Sequence, residues 1–314
     1  MKSPLVSVLI PVYNREHCIE ECIQSALSQD YENIEVVVVD NCSDDNTFEL
    51  CLKLAVDDVR LRVYKNIENI GPVRNWIRCV ELANGEYSKI LFSDDVLLDG
   101  CLSRMISDFK NSEIGLVYSA VWLGSSISTA RKYYGAYLSG EILLGEYIDR
   151  ILVADAPYSP AAALLRTVDL REYLKCDYPT SVAQNFSQHG AGPDCLLQLL
   201  TAGNYSKVGF IAEPLVFFRS HSNSITAQNT NNNVQTGYIS AISYFLMIRG
   251  EVERLNAFLF LTWLRERARG LRISFSEHLR HGGPGVTTLS LLGGLLKAAQ
   301  LAFRKIRSSL MPRL

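Results

Sequence analysis

Residues 5–45, LVSVLIPVYNREHCIEECIQSALSQDYENIEVVVVDNCSDD, decide the fold. Residues 5–10 form a short β-branched run stopped by Pro11, which suits a buried parallel strand. Residues 15–29 place Cys18, Ile19, Cys22, Ile23, Ala26 and Leu27 at a 3.6-residue period, the mark of an amphipathic helix. Residues 34–39 (IEVVVV) make a second strand ending at Asp40. Working outward, Asp45 or Thr47 can cap a helix over 48–56, and residues 61–64 make a third strand. Pro72 opens a helix that runs to Leu82 and is ended by Asn84 and Gly85. Residues 87–92 and 114–122 supply two more strands. Regular alternation of strand and helix predicts an α/β fold whose mainly parallel sheet carries helices on both faces.

Beyond residue 122 the pattern loosens. Residues 123–160, rich in Gly, Ser and Tyr, read as an excursion over the sheet. Residues 228–237 (QNTNNNVQTG) read as a polar linker or surface loop. A helix is expected over 238–269, followed by a breaker at 281–285 (HGGPG). No internal repeat is present. A length of 314 residues suits about two domains at ~150 residues each. The expected division is 1–226 for the α/β domain and 227–314 for a helical extension with a basic amphipathic tail at 286–314.

Composition excludes several classes. Apolar residues at 48% and charged residues at 20% rule out a disordered or collagen-like chain. The net charge of -2 speaks against a nucleic-acid partner. Charge is uneven, however: residues 249–314 hold 12 Lys/Arg against 4 Asp/Glu, so an acidic body carries a basic tail. The eight cysteines form no C-x-x-C pair and sit mostly in apolar periodic segments, so they read as buried small side chains in a reducing compartment. The opening MKSPLVSVLIPVYN does not read as a signal peptide, and no run reaches ~18 apolar residues. The expected location is cytoplasmic.

In an open α/β sheet, ligands bind at the carboxyl ends of the parallel strands. Four expected strand ends carry polar groups: 11–14, 40–44, 66–75 and 94–95. Singly, each reads as a polar turn or a helix cap. Four on one edge make a site. Asp94 and Asp95 are the most telling, because adjacent carboxylates at a buried strand end repel, and a divalent cation relieves that repulsion. Hard oxygen ligands in small number suit Mg²⁺ or Mn²⁺ bridging to a diphosphate. Neither G-x-x-x-x-G-K-[ST] nor a G-x-G-x-x-G after the first strand occurs, which removes the P-loop and dinucleotide-binding readings.

Three segments taken together carry a resemblance: VSVLIPVYNREHCIEECIQSALSQDYENIEVVVVDNCSDDNT, NIENIGPVRNWIRCVELANGEY and ILFSDDVLL. In that order and spacing the chain resembles a family-2 glycosyltransferase with the GT-A fold, closely over residues 4–100 and with weaker echoes to about 226. The resemblance implies a nucleotide-diphospho-sugar donor whose base and ribose are held by Pro11, Tyr13 and Asp40. Gly71 and Arg74 would belong to a second nucleotide loop, with Arg74 facing the donor. Asp95 matches the metal-binding acidic residue, and Asp94 a ribose or outer metal partner. His221, within RSHSNSIT, would reach the metal or the diphosphate; the bland reading is an ordinary surface or core histidine. Asp194, at the start of a helix, matches the base that deprotonates the acceptor in an inverting transfer. Its rival role is an acidic residue stabilised by the helix dipole. Tyr158, Ser159, Ala161 to Ala163 and His189 lie where the family places acceptor contacts. The chain departs from the family at Pro193, where Glu is usual, and at Asn41 and Cys42, where Asp-Gly is common.

The implied activity is metal-dependent sugar transfer to a glycan or lipid-linked acceptor, as in surface-polysaccharide assembly. The alternative is a non-catalytic nucleotide-sugar-binding module of the same fold. A response-regulator receiver and a nucleotidyltransferase fit less well, since each needs chemistry after the first strand that is missing here. In the tail, Leu289, Leu292, Leu296, Ala299, Phe303, Ile306 and Leu310 form one helical face, with Lys297, Arg304 and Lys305 on or near the other. Such a helix suits an anionic membrane surface, which would make the protein peripheral on the cytoplasmic membrane. It equally suits an apolar face packed on the protein's own core or on another subunit.

Overall fold

The structure, a computed structural model, describes residues 3–179, 189–221, 224, 233–270, 274–280 and 291–310. Expectations placed on 222–223, on 225–232 with the 226/227 boundary, on the 281–285 breaker and on Leu289 lie outside the described residues. So do the side chains of Leu292 and Leu310.

The chain opens with β1 (Val6–Val12), α1 (Ile19–Leu27), β2 (Ile34–Asp40), α2 (Thr47–Asp57), β3 (Leu61–Lys65), α3 (Pro72–Leu82) and β4 (Tyr87–Ile90). The first four strands lie in the order β3-β2-β1-β4, all in parallel. Every residue of β1 and β2 is buried. Alternate side chains feed two cores: Leu9, Val37 and Val39 enter one, while Val8, Ile10, Val36 and Val38 enter the other. A strand covered on both faces needs an unbroken apolar run, which is what these segments supply.

There follow β5 (Val96–Leu97), α4 (Cys101–Asp108), β6 (Ile114–Gly124), β7 (Arg131–Tyr133), β8 (Gly140–Leu143), α5 (Leu144–Leu152), β9 (Ala163–Arg166), α6 (Thr167–Tyr173), α7 (Pro193–Ala202) and β10 (Lys207–Arg219). The sheet continues past β4 as β9-β6-β10-β5. β9 is antiparallel to both β4 and β6, whereas β6 and β10 are parallel. The fully buried Lys89 of β4 donates to the carbonyls of Ala161 and Ala163, pinning the turn that leads into β9. The sheet is therefore mixed: β1 to β4 form a parallel half, β9 is inserted antiparallel, and β5, β7 and β8 add antiparallel pairings to β6 and β10. The excursion at 123–160 contributes β7, β8 and α5.

The C-terminal part holds α8 (Asn233–Ile248), α9 (Val252–Ala268), α10 (Phe275–Leu279) and α11 (Leu291–Leu310). Two expectations change here. Residues 233–237, read as the end of a linker, form the first turns of α8. The single helix expected over 238–269 is broken where Gly250 takes a φ of 67° and turns the chain between α8 and α9. These helices do not form a core of their own: Phe245, Phe258, Leu259, Ala298 and Leu301 share one cluster with Leu9 and Val39 of the sheet.

The tail helix does not pack on the core through Leu296, Phe303 and Ile306 of its apolar wheel face. α11 docks through Gly294, Ala298 and Leu301, where a Cβ on Gly294 would lie 2.7 Å from that of Asn256. Lys297, Arg304 and Lys305 turn inward onto acids of α5 and the residues after it. Lys297 meets Asp149 at 2.9 Å, Arg304 meets Glu146 at 3.2 Å, and Lys305 meets Asp155 at 2.5 Å. Leu296 and Phe303, each 70% exposed, and Ile306, 57% exposed, face out. Among the described residues no helix is long and apolar enough to cross a membrane.

Candidate active site

A cleft of about 1260 Å³ opens over the carboxyl ends of β1, β2 and β4. Its walls include Pro11, Tyr13, Asn41, Gly71, Asp94, Asp95, Ser159, His189, Asp194, Arg219 and Tyr238, drawn from eight separated segments.

The loop after β1 is stapled to the loop after β2. Asn14 N–H donates to Ser43 Oγ at 2.9 Å, and Arg15 N–H donates to Thr47 Oγ1 at 2.8 Å. Pro11 and Tyr13 line the cleft, Tyr13 with its ring 38% exposed. Asp40 does not line it. Its carboxylate is fully buried, accepting from Ser43 N–H at 2.9 Å and Ser43 Oγ at 2.5 Å, with Lys65 Nζ at 4.0 Å. The neighbouring Asn41 takes the cleft position. Asn41 accepts from Asn66 and from Ile70 N–H and donates to Asn69, while Asn75 donates to the Val39 carbonyl. Four asparagines thus lock the loop after β2 to the loop between β3 and α3. Cys42, where a glycine is common in the family, holds a φ of 65°, a strained conformation for a residue with a Cβ.

Gly71, with φ 84°, brings the backbone to the cleft at the start of α3. Arg74 does not face the cleft. It is exposed beside Cys176, whose thiol burial pushes up against the opposing charge of Arg74. Two residues on, Trp76 lines the cleft and packs on Phe92, ring centroids 5.2 Å apart.

Asp94 and Asp95 follow β4 in a tight turn closed by Asp95 N–H donating to Phe92 O at 2.9 Å. β10 braces them from the other side. Arg219 N–H donates to Asp95 Oδ1 at 3.0 Å, its Nε donates to the Asp94 carbonyl at 3.0 Å, and its guanidinium reaches Glu21 at 2.5 Å. His221 Nε2 stands 2.8 Å from Asp94 Oδ2, so the structure joins His221 to Asp94. Burial, and then the charge of Asp94 alongside, push the Asp95 carboxyl well above the usual carboxylate range. Among the described residues no three His, Cys, Asp or Glu side chains form an enclosed metal cage. Mg²⁺ or Mn²⁺ needs no cage: one or two carboxylates plus substrate phosphates suffice. The chemistry of the donor set therefore fits such an ion, since its charge would relieve two crowded, partly buried carboxylates.

Asp194, 6% exposed, is the second residue of α7. Gly192 N–H at 2.8 Å and Cys195 N–H at 2.7 Å donate to Oδ1, and Tyr238 OH donates to Oδ2 at 2.9 Å. Desolvation outweighs these bonds and raises the carboxyl to about 7. His189 lines the same wall, its Nδ1 accepting from Ala191 N–H at 3.1 Å, and burial lowers its affinity for a proton. Of the expected acceptor segment only Ser159 lines the cleft. Tyr158 donates to the Ile151 carbonyl and stacks on Tyr238, and Ala161 to Ala163 are fully buried.

The sequence model of the family described as Glycosyl transferase family 2 matches residues 7–168, just over half of the chain. The chain belongs to that family. Glycosyltransferase GlyG of Streptococcus pneumoniae is 26% identical over 230 residues, covering 71% of this chain and 73% of GlyG. A Campylobacter jejuni protein named GalNAc(5)-diNAcBac-PP-undecaprenol beta-1,3-glucosyltransferase is 35% identical over 105 residues, which is 33% of this chain and 34% of that one. Among solved structures, S. aureus TarS in complex with UDP-GlcNAc superposes with a TM-score of 0.69 at 18% identity, over 98% of this chain and 91% of that one. At that identity the likeness establishes the fold, which is GT-A, with the C-terminal helices included. This glycosyltransferase therefore carries its cleft where a GT-A sheet ends its parallel strands. Sequence reasoning missed Tyr238, and it placed Arg219 in the motif around His221 without seeing its contacts to Asp94 and Asp95. Each is an ordinary residue locally, and only the return of β10 and α8 to the cleft brings it to the site.

Proposed function

We propose that this glycosyltransferase moves a sugar from a nucleotide-diphospho-sugar to a hydroxyl of a glycan or lipid-linked acceptor, with inversion, in surface-polysaccharide assembly. The carrying observation is a single cleft with the Asp94–Asp95 pair on one wall and the hydrogen-bonded, hard-to-ionise Asp194 on another. Tyr13, Asn41 and the Gly71 backbone receive the nucleotide. When bound by Asp95, with Asp94 beside it, Mg²⁺ or Mn²⁺ supplies Lewis-acid neutralisation of the departing diphosphate. Asp194 takes the acceptor's proton as its oxygen attacks the anomeric carbon, and the bond from that carbon to the diphosphate oxygen breaks on the opposite face. A base that titrates near neutrality suits this role.

The name of the Campylobacter relative supports an undecaprenyl-linked acceptor. The outward stripe of α11 supports peripheral membrane placement, by apolar contact more than by charge, since its basic residues are paired with the body.

Calorimetric titration with UDP, with and without Mn²⁺, tests the donor half of this reading. Binding should strengthen at least about tenfold with Mn²⁺ in the native chain. Asp95→Ala should lose that gain, and Asp194→Asn should keep it. Equal binding in all conditions contradicts the assignment; absence of UDP binding moves the titration to GDP, dTDP and CDP, and absence of binding to all four contradicts it. Binding of donors and acceptors with no turnover of any pair would favour the binding-module reading.

A further inference from the structure

Helix α8 lies outside the segment that defines the family, yet it delivers a hydroxyl to Asp194. Its approach is built by small residues. A Cβ on Gly237 would lie 2.4 Å from the Ala191 carbonyl oxygen, and one on Gly192 would lie 3.0 Å from the Gly237 carbonyl oxygen. Only with glycine at both places can α8 press against the turn that opens α7. Tyr178 OH donates to the Gly237 carbonyl at 3.2 Å and ties a third segment to the junction. The next residue, Tyr238, then has its ring against Tyr158, centroids 4.8 Å apart, and its hydroxyl at Asp194 Oδ2.

We infer that Tyr238 is a positioning residue: by donating to Oδ2 it fixes the Asp194 carboxyl toward the cleft and favours the carboxylate that accepts the proton. This inference rests on Asp194 being the base. The carboxyl has two oxygens and three donors. Two of those are backbone N–H groups of α7 and its approach, which no substitution at 238 removes. The titratable groups around it are Cys195 on α7, Tyr238 on α8, Tyr178 before α7, and His189 in the preceding turn. Asp194 and burial together raise the Cys195 and Tyr178 groups, so both stay neutral. Among the described residues no Lys or Arg forms an ion pair with Asp194. Tyr238 is thus the one side-chain donor that the structure gives this carboxylate, among the described residues.

The test is a carbon-13 carboxyl titration of the full chain labelled at aspartate, with Asp194 assigned by its disappearance in Asp194→Asn. In Tyr238→Phe the Asp194 midpoint should rise by about one pH unit. Replacing Tyr238 with 3-fluorotyrosine, isosteric and a stronger donor, should lower it. If Tyr238→Phe fails to fold, the fluorinated chain decides alone. A midpoint unchanged in either variant, or shifted the same way in both, overturns the inference. The base reading fails separately, by Asp194→Asn transferring sugar at the native rate.

Discussion

At the scale of single residues, the chemistry turns on how Asp194 is kept. Its folded carboxyl sits near 7 because burial outweighs three hydrogen bonds. An unfolded aspartate titrates near 4, so the folded chain binds the extra proton between about pH 4 and 7. Asp194 therefore helps the fold most below pH 4, and that help is lost as pH rises through 7, where a charged carboxylate must stay buried. Asp194→Asn should escape this loss. Thermal unfolding should show the variant gaining on the native chain from pH 4 to 8, by on the order of 2–4 kcal/mol. A difference independent of pH would mean that Asp194 titrates normally. Asp194 was legible from its place at a helix start, as were Asp94 and Asp95 at a strand end. Asp40 was legible as a strand-end carboxylate, but its surroundings were not. In the structure it accepts from Ser43, three residues on, and local sequence does not show that the turn folds back in this way.

At the scale of elements, the apolar runs that became β1 and β2 and the periods that became α1 and α3 were readable, because burial on two faces or on one stripe leaves a pattern. β9 was not readable, since four residues ending an excursion carry no period. α11 was readable as a helix but not as to its facing. Its wheel separates charge from apolar surface, and the side that turns inward meets Asn256 at Gly294, the main core at Ala298 and Leu301, and acids at Glu146, Asp149 and Asp155, none of which the helix's own sequence shows. Its outward stripe should therefore bind lipid without contributing to the core. Phe303→Glu with Ile306→Glu should leave the unfolding temperature within about a degree of native. In flotation the same variant should lose most binding to phosphatidylcholine vesicles. Undiminished flotation would show that this stripe does not contact lipid.

At the scale of the whole molecule, one cleft is assembled from strand ends of a parallel sheet, from the antiparallel return of β10 onto β5, and from a C-terminal helix sharing the main core. The strand ends follow from topology and could be placed from sequence. Contributions from β10 and α8 depend on contacts between residues more than a hundred positions apart, as between Arg219 and Asp94, and needed the fold. The central claim is that the Asp94–Asp95 wall and Asp194 serve one metal-assisted transfer. The most direct measurement is release of nucleoside diphosphate from UDP-, GDP-, dTDP- and CDP-sugars, with Mn²⁺ or with EDTA, for the native chain and Asp95→Ala. One donor should turn over with Mn²⁺, and either EDTA or Asp95→Ala should reduce the rate by about 100-fold or more. Turnover that survives both treatments would contradict the account.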